Sequence, residues 1–145
     1  MKGELLVLVE IGGRRAAIPA VEVQSVIELE DIYPVPHAPG HVTGLTAMRS
    51  QSLTVVDCCK SLGIGNRSGP GERSPVVEID GYLYALQVDL VDDVIAAQSD
   101  LFTVSGGFGA AWKSAARGMV ETEQGPTLVL DVKSLISGQP ITAAA

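Results

Sequence analysis

The chain has 145 residues, with 46% apolar, 19% charged and 4% aromatic side chains, the balance of one ordinary domain or two very small ones and not of a disordered polymer. Ten basic residues stand against 17 acidic ones, net −7, and Arg14-Arg15 is the only basic doublet. That excludes a phosphate-tracking nucleic-acid surface and gives no attraction to a membrane surface.

The first predicted element is a Val/Leu/Ile-rich strand from Glu4 to Ile11. Its longest apolar run, Leu5–Val9, is five residues bracketed by Glu4 and Glu10. A membrane-spanning helix needs about 20 such residues and a secretory signal about 7, so no membrane insertion and a cytoplasmic location are expected. Gly12-Gly13 reads as a two-residue hairpin turn into a strand Arg15–Pro19. Val23, Val26 and Ile27 then carry a spacing that fits either one helical turn or a bulged strand. Residues 33–41 hold three prolines and a glycine and read as loop. A hairpin of Val42–Arg49 with Leu53–Val56 is predicted around Ser50-Gln51, followed by a short helix from Asp57 to Leu62. Asp57 suits its N-cap and Gly63 its end.

The second half repeats this order. Strands are predicted at Pro75–Ile79 and Tyr82–Val88 around the turn Asp80-Gly81, then the spacing Val91, Val94, Ile95. A hairpin of Ala116–Glu123 with Thr127–Leu130 follows, around Gln124-Gly125-Pro126, and a helix Asp131–Ile136 ends at Gly138. Residues 9–27 aligned on 77–95 share eight identities at an offset of 68. Leu53-Thr-Val-Val-Asp57 aligns with Thr127-Leu-Val-Leu-Asp131 at an offset of 74, the extra residues fitting an insertion such as Ser105–Gly109. A duplicated unit explains both alignments.

The Gly/Ser/Pro-rich stretch divides the chain into a first unit, 4–63, a linker, 64–74, and a second unit, 75–138, with a disordered tail at 139–145. About five short antiparallel strands per unit leave edges that closure into a small barrel removes. The expected fold class is all-β with short helices: two small barrels side by side, one per unit.

Catalytic chemistry is sparse. His37 and His41, four apart in a Pro-rich loop, lack the helix that would align them on a metal. No nucleophile elbow and no phosphate-binding loop is present. Asp89, Asp92 and Asp93 are interleaved with Leu90, Val91 and Val94, where a calcium loop would place oxygen ligands. Cys58-Cys59 reads as two small apolar residues on a helix, a vicinal disulfide or thiol chemistry being the alternative. No catalytic residue, metal or cofactor is expected; the chain reads as a binding module.

The quoted segments resemble the CheW-like family, the coupling proteins of bacterial chemotaxis, over nearly all of residues 4–137. The family pattern G-x-x-N-L-R-G-x-x-x-P-V-V-D-L is matched by Gly44-Leu45-Thr46-Ala47-Met48-Arg49-Ser50 through Leu53-Thr54-Val55-Val56-Asp57, and V-D-x-V-x-D-V by Val88-Asp89 through Val91, Asp93 and Val94. The family Asn, Gly and Pro are replaced by Ala47, Ser50 and Thr54, and Ser25 stands where an acid is common. The resemblance implies two SH3-like five-stranded barrels and a non-catalytic adaptor between the regulatory domain of a chemotaxis histidine kinase and the cytoplasmic tip of methyl-accepting chemoreceptors. The kinase would meet apolar barrel faces. The receptor would meet the groove between barrels and the hairpin at Arg49. Partner-binding residues implied in this way are Arg49, Met48, Gly44, Val23, Ser25 and Val91. The departures at the hairpin leave open a kinase-docking regulator of a related motility system without receptor coupling.

Overall fold

A computed structural model describes residues 1–65, 73–103 and 109–138. Among these residues ten strands form two five-stranded sheets: β1 Leu5–Ile11, β2 Arg14–Pro19, β3 Val23–Glu28, β4 Val42–Met48, β5 Gln51–Asp57, β6 Arg73–Ile79, β7 Tyr82–Gln87, β8 Leu90–Ala96, β9 Ala116–Thr122 and β10 Gly125–Leu130. Short helices α1 Cys58–Leu62, α2 Ala110–Lys113 and α3 Val132–Ser137 complete them. Each sheet is the curled, SH3-like barrel expected from the sequence.

The tight turns form where positive φ is tolerated: Gly12-Gly13 at +61° and +81°, and Asp80-Gly81 at +53° and +86°. The Val23–Ile27 spacing resolves as a bulged strand, with a register shift against β6 between Val23 and Ser25, after a 3₁₀ turn at Ala20–Glu22. The β4–β5 turn lies one residue earlier than expected. Met48 pairs with Gln51, so Arg49 and Ser50 are the turn residues, both left-handed at +51° and +70°. The β9–β10 turn is likewise Glu123-Gln124, with Thr122 opposite Gly125. Asp57 caps α1 by accepting from the Lys60 N–H at 3.2 Å, and Asp131 caps α3 by accepting from the Ser134 N–H at 3.4 Å. Helix α2 was not expected.

Strand pairing does not follow the two sequence units. The first sheet runs β8-β1-β2-β10-β9 and the second β3-β6-β7-β5-β4. Each barrel therefore takes a two-strand hairpin from one half of the chain and three strands from the other. The division into a first barrel at 4–63 and a second at 75–138 is corrected accordingly. The exchange is reciprocal: β1 pairs antiparallel with β8 as β6 does with β3, and β2 pairs parallel with β10 as β7 does with β5. The physical cause is the short connection after each hairpin. Three residues in a 3₁₀ turn carry the chain from β2 directly into the other sheet. The linker and tail expectations fall mainly on residues 66–72 and 139–145, outside the described residues.

Packing shows why Leu5–Val9 is continuously apolar. Leu6 and Leu8 fill the first barrel with Ala17, Ile95, Val120 and Val129. Val7, Val9 and Ile11 face the other way, into a larger core shared with Val56, Leu62, Val77 and Leu86 of the second barrel and Leu135 of α3. A central strand buried on both faces has no need to alternate. Helices α1 and α3 meet across this seam, where the Ser61 hydroxyl donates to the Leu135 carbonyl. Cys58 and Cys59 are fully buried in the same core and are not joined by a disulfide.

Candidate protein-interaction surfaces

The site residues implied by the sequence do not form one patch. Arg49 is exposed at the tip of the β4–β5 hairpin, and half-buried Met48 precedes it. Ser50 keeps the left-handed conformation that glycine would allow more cheaply, so the turn survives the loss of glycine. Gly44, at the other end of β4, is buried; a Cβ there would lie 2.4 Å from the Tyr33 carbonyl oxygen. That close approach accompanies paired backbone hydrogen bonds between Tyr33 and Leu45, each 2.8 Å. Gly118 repeats the arrangement under Phe102, with paired bonds between Phe102 and Met119. Gly44 is therefore required by backbone packing.

Val91 is buried in the core between the barrels, and Val23 packs against the same core from β3. Ser25 follows Val23 by two residues and is half-buried, its Oγ enclosed with no hydrogen-bond partner. The structure thus brings Val23 and Val91 toward the barrel junction and separates them from Arg49 and Met48 on the outer hairpin.

Several exposed apolar side chains escaped the sequence reading. Leu5 lies opposite Ala96 and Val94 opposite Val7, so Leu5 and Val94 are diagonal neighbours on one face of β1 and β8, and both are about half exposed. Val26 is the repeat equivalent of Val94 and is also exposed, on β3. Tyr33 and Leu45 form an exposed pair across their bridge. The signal was present in the duplicated Val26/Val94 spacing, but alternation alone does not say which face of a strand meets solvent.

Polar groups lock the two barrels to each other. Arg117 of β9 pairs with Glu22 at 2.7 Å, and the Arg73 guanidinium donates to the Val91 carbonyl at 3.3 Å. Asp89, buried at the start of β8, accepts from the Gly13 N–H at 3.3 Å. Its placement is that of a turn-binding carboxylate, with Asp92 and Asp93 outside it in solvent. His41 shares a 2.7 Å hydrogen bond with the Ile136 carbonyl near the end of α3. Arg14 stacks 5.5 Å from the centre of the Trp112 ring. Among the described residues no helix is long and apolar enough to cross a membrane.

The family described as CheW-like domain matches residues 5–139. A Chemotaxis protein CheW from Thermotoga maritima is 29% identical over 130 residues, spanning 88% of this chain and 83% of that protein. The crystal structure of the scaffolding protein TtCheW from Thermoanaerobacter tengcongensis is similar with a TM-score of 0.81 at 21% identity, covering 98% of this chain and 94% of that one. At that identity the structural likeness speaks for the fold.

Proposed function

Because the chain belongs to the CheW-like domain family, whose members are non-catalytic scaffolds of chemotaxis, we propose that it couples a chemotaxis histidine kinase to the cytoplasmic tips of methyl-accepting chemoreceptors. The observation that carries this reading is the family match over residues 5–139, which takes in both barrels and the hairpin. The kinase regulatory domain meets an apolar barrel face, for which the exposed Leu5–Val94 pair is suited. The receptor tip meets the groove between the barrels and the exposed Arg49, a cation at the tip of a two-residue turn. Through these contacts the protein is held at receptor arrays on the cytoplasmic side of the membrane. The kinase-only regulator of a related motility system gains no support from the matches.

Calorimetric titration of the chain with the kinase regulatory domain, and then with a receptor tip fragment, tests this. Binding of both at about micromolar strength is expected, with Arg49→Ala weakening only the receptor step. Kinase binding without receptor binding in the unaltered chain would overturn the coupling role.

A further inference from the structure

The two barrels are built from equivalent strands but are not equally closed. In the first, the chain beyond β8 is zipped to β9: the Gln98 N–H donates to the Glu121 carbonyl at 2.7 Å, and the Glu121 N–H donates to the Ser99 hydroxyl at 2.9 Å. At the repeat offsets the corresponding residues of the second barrel are Glu30, Ala47 and Asp31. Among the described residues no hydrogen bond joins Glu30 to Ala47. At this level a side-chain bond runs from the Thr46 hydroxyl to the Asp31 carbonyl at 2.7 Å, and the backbone is joined to β4 only further along, by the paired Tyr33–Leu45 bonds. A groove of about 240 Å³ opens between the end of β3 and β4, beside half-buried Ile27, Leu29 and Met48.

The interior behind the groove also carries more polar side chains. Leu6 of the first barrel corresponds to Ser74, whose fully buried hydroxyl has no hydrogen-bond partner, and Val120 corresponds to Thr46. The first barrel receives one more apolar side chain at its equivalent end. Met1 packs on the cluster of Leu6, Leu8 and Ala97, while the Lys2 N–H donates to the Asp100 carboxylate at 3.0 Å. An apolar side chain, with the N-terminal ammonium of the same residue 3.2 Å from a carboxylate, thus completes the closed barrel. In the open barrel Ile32 stands at the position equivalent to Asp100, and acidic side chains occur at neighbouring positions instead. Glu28, Glu30 and Asp31 are exposed around the groove, and no basic side chain among the described residues pairs with them.

We propose that the open seam of the second barrel is a docking groove for a partner polypeptide that inserts one apolar side chain flanked by lysine or arginine. The apolar residue fills the space beside Ile27, Leu29 and Met48, and the cation lies against the three carboxylates. Charge complementarity selects this occupant: three acids around a groove of mixed polar and apolar lining disfavour a purely apolar or acidic segment. The inference stands independently of the kinase and receptor reading, since it rests on the difference between the two barrels.

The test is a nitrogen-15 NMR titration of the full chain with the blocked peptide Gly-Met-Lys-Lys-Gly. Saturable shifts confined to residues 27–33 and 46–48 are expected, at about millimolar strength for so small a ligand. Gly-Gly-Lys-Lys-Gly and Gly-Met-Glu-Glu-Gly should produce no saturable shifts at these positions. The Glu30→Lys/Asp31→Lys variant, altered only at exposed side chains, should bind about tenfold more weakly or worse. Absence of saturation, shifts centred elsewhere, or equal binding of the acidic peptide would overturn the proposal. So would concentration-dependent shifts at the groove without peptide, which would assign it to a second copy of the chain.

Discussion

Ser50 is the residue on which the hairpin geometry depends most visibly. It holds φ at +70° beside Arg49 at +51°, a conformation that costs an L-residue about 1–2 kcal/mol. Ser50→Gly should therefore stabilise the chain by about 0.5–1 kcal/mol, read as a raised urea midpoint with an unchanged slope. Arg49 remains at the tip in that variant, so any change in receptor binding reports on turn rigidity alone. A second residue-scale expectation concerns Asp100. The Lys2 backbone N–H donated to its carboxylate holds it below the usual aspartate range, with help from the N-terminal ammonium 3.2 Å away. A group whose folded value is lowered stabilises the fold above its ordinary value and loses that contribution as pH falls through the lowered one. A carboxyl-carbon NMR titration should thus place the Asp100 midpoint below about 3.9, with Met1 and Lys2 shifting in the same acid step. A midpoint at or above that value would refute the contact.

At the scale of elements, the two capped helices are the best-specified pieces of the chain. Asp57 and Asp131 occupy equivalent positions 74 apart, and each accepts from the backbone N–H three residues on. The N–H of each aspartate in turn donates to an equivalent carbonyl, that of His41 or Ala115. Asp57→Ala should cost about 1 kcal/mol in chemical denaturation, the usual worth of such a cap. A cost near zero would mean that burial of Cys58, Cys59 and Leu62 holds α1 without it. The caps and the Gly12-Gly13 and Asp80-Gly81 turns were legible because each rests on local chemistry within a few residues, whereas the spacing of β3 fitted a helical turn as well as a bulged strand. The β4–β5 turn was misplaced by one residue because neither Arg49 nor Ser50 is a residue that favours positive φ. Only the pairing of Met48 with Gln51 forces them into left-handed backbone. Gly44 was legible as a motif residue but not in its role, since the reason is a carbonyl eleven residues upstream.

For the whole molecule the decisive feature is the reciprocal exchange of strands between the halves. Neither half contains a closed sheet: β1–β2 lacks β8 and β10, and β6–β7 lacks β3 and β5. Fragments 1–65 and 73–145 should each lack dispersed amide resonances alone and recover the native spectrum when mixed. Two independently folded fragments would contradict the topology. The sequence by itself determined the duplication, the β class, the pair of barrels, two of the four hairpin turns, both helix caps and the family. All of these follow from local propensity or from ordered similarity along the chain. Tertiary structure alone decided which hairpin pairs with which strand, which of Leu5, Val26 and Val94 meet solvent, and why the second barrel is open beside Leu29. The reason is that the two repeats present nearly the same strand edges. Val23-x-x-Val26-Ile27 and Val91-x-x-Val94-Ile95 carry the same pattern, so pairing within a half and pairing across halves read alike. What separates them is the short connection after each hairpin and the core shared by both barrels, and both exist only in three dimensions.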